Sequence, residues 1–134
     1  MKRILLAVFS FCTLQVLAQT APQKMSYQAV ARNSAGTIVA SQAIAIKVEI
    51  VDADLTSIVY SETHATTTNQ FGLFTLQVGT GSIVSGTFSA INWGVGDKYI
   101  RTSVDLTGGT TYQLMGMSQL LTVPYAFYAE KTKL

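Results

Sequence analysis

Between Ile44 and Val51 the chain alternates with a period of two. Ile44, Ile46, Val48 and Ile50 fall on one side, and Ala45, Lys47, Glu49 and Val51 on the other. Such alternation predicts a strand with one oily face and one mostly wet face. Phe74, Leu76 and Val78 repeat the pattern against Thr75 and Gln77. Shorter segments of the same kind run over residues 25–32, 58–64, 98–105 and 111–121. Thr, Val, Ile and Tyr dominate them, residues that pack well on a pleated surface. Ile46, Val48, Phe74 and Leu76 are the expected core, since they occupy the oily faces of the clearest strands.

Turn signals separate these segments. They are Asn33-Ser34-Ala35-Gly36, Asp52-Ala53-Asp54, Asn69-Gln70-Phe71-Gly72, the stretch from Gly94 to Asp97, and Gly108-Gly109. Regular punctuation without a long helical stripe predicts an all-β protein, a single antiparallel β-sandwich of about seven short strands. Residues 79–92 form the least regular connection, with Phe88, Ile91 and Trp93 expected to pin it onto the sandwich. Thr66-Thr67-Thr68 is too short for a stalk and reads as strand edge or loop.

The first residues belong to a different object. Lys2 and Arg3 precede an apolar run, Ile4 to Leu17, that closes on Val16-Leu17-Ala18. A basic start, a short apolar run and small residues at the end predict a secretory signal peptide, cleaved between Ala18 and Gln19. The run is shorter than the roughly 20 apolar residues of a membrane-spanning helix. A lipid-anchored Cys12 is the rival reading, disfavoured by the bulky Phe11 before it. The chain thus divides into a signal peptide at 1–18, a short linker at 19–22, a sandwich domain at 23–123 and an exit segment at 124–134. Secretion or display at the cell surface follows, with no membrane association after cleavage.

Cleavage changes the composition. Cys12 is the sole cysteine and leaves with the leader, so no disulfide can form and stability must come from the core. Lys2 and Arg3 leave too, and nine basic residues become seven against seven acidic ones. A charge near zero argues against a nucleic-acid groove or a polybasic membrane patch.

Candidate chemistry is sparse. His64 is the only histidine, which excludes a site of clustered histidines, and no serine sits in a G-x-S-x-G elbow. His64 therefore reads as an exposed or loop-capping residue at a strand end. Asp52 and Asp54 could offer oxygens to Ca²⁺, but that ion takes six to eight and no third carboxylate is near in sequence. They read as a solvated turn. Gly79-Thr80-Gly81 lacks the G-K-[ST] ending of a phosphate loop. No catalytic residue, metal site or cofactor is expected. Trp93, Tyr99 and Tyr112 could stack on sugar rings if they share an exposed face, and otherwise divide between core and surface as amphipathic rings do.

The tail "TVPYAFYAEKTKL" follows the last strand. Thr122 could cap a helix, Pro124 suits its first turn, and Ala126, Ala129, Glu130 and Lys131 are good helix formers. A short C-terminal exit helix is favoured over a last edge strand carrying Pro124. Only residues 131–134 lie beyond the aromatic cluster, too few for a coiled-coil seam, so the chain by itself is expected to be a monomer.

Four stretches in a fixed order carry a family likeness: "MSYQAVARNSAGTIV", "YSETHATTTNQFGLFTLQVG", "FSAINW" and "SQLLTVPYAFYA". Together they resemble a secreted β-sandwich module of Bacteroidota surface proteins, covering residues 23–131. The resemblance implies architecture without catalysis: a first domain after the signal peptide, followed by a collagen-like, coiled-coil or tail-fibre-like stalk. Here the sequence stops where such a stalk would begin. The function expected is a non-enzymatic structural or adhesive head module of a cell-surface or fibre-type protein, meeting a surface protein or a glycan. The alternative is a carbohydrate-binding module that uses its exposed aromatics.

Overall fold

The computed structural model describes residues 22–121. The expected signal peptide, its expected cleavage between Ala18 and Gln19, and the expected exit helix of the tail lie outside the described residues. Within them the chain is an all-β sandwich of seven antiparallel strands in two sheets.

The strands are β1 (Met25–Val30), β2 (Ala43–Asp52), β3 (Ile58–Thr67), β4 (Leu73–Val78), β5 (Ser82–Ser85), β6 (Lys98–Asp105) and β7 (Gln113–Gln119). A single 3-10 turn, Phe88–Ala90, lies between β5 and β6. The larger sheet runs β5-β3-β2-β6-β7, and β1 pairs with β4 as a two-stranded sheet. The expected core forms between them. Ile44, Ile46, Val48 and Ile50 of β2 join Tyr60, Ile100 and Val104 on the larger sheet, and Phe74, Leu76 and Val78 of β4 close over them.

Three expectations are corrected. The second face of β2 is not wet, because Ala45, Glu49 and Val51 are buried. β2 is the middle strand of five, so this face is covered from β6 and the turn that follows it: Arg101 of β6 bonds Glu49, and the Lys47 ammonium lies over the Tyr112 ring. The connection at 79–92 contains a strand after all. All four side chains of β5 are exposed, so it carries no alternation to read. Trp93 pins that connection less than Ile91 does. Ile91 is buried in the core and Phe88 packs against the core, whereas Trp93 is 45% exposed and leans on the Phe88 ring at 5.8 Å.

Two asparagine turns fix the end of the sandwich. Asn33 Oδ1 accepts the amides of Ala35 and Thr37, and Asn69 Oδ1 accepts those of Phe71 and Leu73. Each turn closes on a glycine at positive φ, Gly36 at 79° and Gly72 at 76°, where any other residue would be strained. The turns interlock, as the Ala31 amide donates to Gly72 O and the Ser41 amide to Asn69 O. The likeness between "RNSAG" and "TNQFG" is thus one solution used twice.

Candidate functional site

The densest buried polar cluster lies on the inner face of β3. Alternation puts Tyr60, Glu62 and His64 on one side of that strand, facing the core. Glu62 is fully buried. Its Oε2 accepts the Tyr60 hydroxyl at 2.6 Å and the Gly81 amide at 2.9 Å. Its Oε1 meets His64 Nε2 at 2.7 Å and accepts the Gly79 amide at 2.9 Å. Burial pushes the Glu62 carboxyl up. The bonds from Tyr60, His64, Gly79 and Gly81 outweigh that and hold it below its ordinary 4.5. Burial, then the neighbouring carboxylate, pushes the Tyr60 hydroxyl far up.

A carboxylate offers about four lone-pair sites, and here each carries a donor. None is left to take a proton from a substrate or to hold a metal. The Tyr60 hydroxyl is likewise committed as a donor. What the arrangement does is fasten the β4–β5 loop to β3. The glycines permit the approach, since a Cβ at Gly81 would sit 2.7 Å from both His64 Nε2 and Thr63 O. His64 is therefore neither exposed nor at a strand end: β3 continues to Thr67, and the imidazole is largely buried under the loop. Sequence reasoning singled out His64 and missed Tyr60 and Glu62. The available signal was Y-S-E-T-H, which puts all three on one face of a strand.

The aromatic candidates divide. Tyr99 and Tyr112 are half-buried and belong to the outer face of the larger sheet. Tyr99 is on the same side of β6 as Arg101, and the Tyr112 ring lies 5.6 Å from Lys47 Nζ. Between them Glu49 Oε2 accepts Arg101 Nε at 2.7 Å, and Glu49 Oε1 lies 3.4 Å from Lys47 Nζ. Tyr99 pairs across to Val51, four residues from Lys47 along β2, a backbone separation of about 13 Å at the rise of a strand. Trp93 is elsewhere, linked through Phe88 to the inner-face Tyr60, whose ring meets Phe88 edge-on at 5.3 Å.

The aspartates of the D-x-D turn are engaged separately. Asp52 pairs with the nearly buried Lys98 at 2.7 Å. Asp54 accepts the amides of Thr56 and Ser57 and the Ser57 hydroxyl, and the Ser57 bonds lead in drawing its carboxyl down to about 2. Asp105 does the same for the β6–β7 turn, accepting the Thr107 hydroxyl and amide and the Thr111 amide. A ligand that binds only the folded state raises its stability. EDTA should accordingly leave the melting temperature unchanged. A drop restored by Ca²⁺ and abolished by Asp52→Ala would reverse this assignment.

Residues 26–117 match the model of a family described as Domain of unknown function (DUF8740), a match over more than half of the chain. The chain belongs to this family. The matched region begins in β1 and ends in β7, so it takes in both sheets, the Glu62 cluster and the outer face. No curated protein and no solved structure matches the chain.

Proposed function

We propose that the protein is a non-enzymatic, exported structural or adhesive head module of a cell-surface or fibre-type protein. The observation that carries this reading is the fate of Glu62. The most deeply buried carboxylate accepts four donors from its own fold and anchors a loop. Glu49, Asp52, Asp54 and Asp105 are engaged in the same way, each binding a strand or a turn. A fold that commits these five acidic groups to rigidity suits display rather than turnover. Apolar side chains at loop tips, such as Phe71 and Val95, supply surface for a partner.

Export is tested first. Mass spectrometry of the protein recovered outside the cytoplasm should show Gln19 as its first residue, and protease treatment of intact cells should remove it. An intact Met1 in that fraction, or full protection from protease, would sink the reading.

A second reading is favoured by one observation: Tyr99 and Tyr112 flank the Lys47–Glu49–Arg101 network on a single sheet face. Two rings on one sheet face, with charged groups between them, suit a short oligosaccharide. A glycan array probed with the mature chain separates the two readings, provided that any signal is lost in Tyr112→Ala and kept in Trp93→Ala.

A further inference from the structure

We infer that residues 79–85 form a clasp over the edge of β3, which ionised Glu62 keeps shut and protonated Glu62 releases while the rest of the sandwich stays folded.

The segment is held lightly except at its two ends. β5 pairs only with β3, over a short ladder with a register shift between Ser61 and Glu62. None of its four side chains is buried, so it gains little from the core. At the far end Phe88 packs on Tyr60. At the near end the amides of Gly79 and Gly81 bond to Glu62, which is the side-chain anchor of the loop. Segments with few buried contacts open at a free energy well below that of global unfolding.

The chemistry of the anchor makes it conditional on charge. Each Glu62 oxygen faces one backbone amide, Oε1 toward Gly79 and Oε2 toward Gly81. A backbone N–H can only donate. A proton on either oxygen takes one of the four lone-pair sites, so the four donors are left with three acceptor sites. The bonds that remain also lose their charge assistance, about half their strength.

Few other charges act at this point. His64 and Tyr60 face Glu62 from its own strand, while Val48 and Ile83 stand opposite it on β2 and β5. Lys24, near Gly79 at the start of β1, is bonded to Gln77 instead. A positive charge on His64 would tighten the pair, so opening depends on the protonation of Glu62 itself. Because its carboxyl lies below the ordinary 4.5 when folded, the clasp is shut at neutral pH and opens as the pH falls below that value. Opening bares the backbone of β3 from Ser61 to Thr63, an edge of the kind that accepts an added strand.

Hydrogen–deuterium exchange on the full chain, titrated from neutral to acid pH and corrected for intrinsic rates, tests this. Amides of residues 79–85 should lose protection roughly tenfold or more while those of β2 and β6 keep theirs. Glu62→Gln, a neutral stand-in, should show the open pattern at neutral pH. Gly81→Ala, whose Cβ would strike Thr63 O and His64, should be open at every pH. Protection of residues 79–85 that persists until β2 unfolds would overturn the inference. So would a Glu62→Gln protein that keeps the segment closed. If that variant does not fold, the wild-type titration decides alone.

Discussion

Phe74→Ala destabilises the domain by about 3–5 kcal/mol, the range for removing a buried aromatic ring. Phe74 is only 2% exposed, points inward from β4, and stands 6.3 Å from the Tyr27 ring of β1. Its weight comes from the construction of the second layer. β1 and β4 pair only with each other, and a two-stranded sheet is marginal at best by itself. That layer stays in place through what it buries, chiefly Phe74, Leu76 and Val78, with Tyr27 and Ala29 beside them. Removing the largest of these leaves a cavity between the sheets, and no disulfide limits the damage, since Cys12 is the only cysteine. Phe71 provides the control. It lies three residues earlier at the tip of the asparagine turn and is 64% exposed. Phe71→Ala should change stability by no more than about 0.5 kcal/mol. Urea denaturation of both variants checks the pair. Equal effects would mean that the inward face of β4 has been misassigned.

That contrast also marks what the sequence makes legible. Alternation of apolar residues locates β2, β4 and β6 because each presents one face to a core, and burial enforces the register. It fails on β5, whose Ser-Ile-Val-Ser faces solvent on both sides and is held by backbone pairing and glycines. It also misjudges Ala45, Glu49 and Val51. Their strand lies in the middle of the larger sheet, and sheet order is a long-range property that local pattern does not contain. Glu62 is hidden for a related reason. A carboxylate in an otherwise strand-like segment reads as solvent-facing, because a buried one is costly without partners. Its partners are the amides of Gly79 and Gly81, 17 and 19 residues away. No spacing rule connects a glutamate to two glycines across a change of sheet.

The second large effect belongs to that glutamate. Glu62→Ala removes the acceptor for Tyr60, His64, Gly79 and Gly81 together. Each buried donor left unpaired costs about 1–3 kcal/mol. The costs do not all accumulate, because opening of the β4–β5 loop lets both amides reach water. The Tyr60 hydroxyl has no such escape: its side chain is buried under Phe88, and Ala at position 62 adds an apolar void. A loss of about 3–5 kcal/mol is expected, comparable with breaking other buried polar networks. Glu62→Gln should cost less than Glu62→Ala, since one oxygen remains for two of the four donors. Tyr60→Phe removes a single donor and should cost about 1 kcal/mol. Combining Tyr60→Phe with Glu62→Ala should then be less damaging than the sum of the two, because the orphaned hydroxyl is gone. The shortfall should be about 1 kcal/mol, within the usual range for residues in direct contact. Urea denaturation of the four proteins closes the cycle. Strict additivity would show that the hydroxyl finds another partner once Glu62 is gone. A Glu62→Ala domain as stable as wild type would show that the glutamate does not anchor the fold.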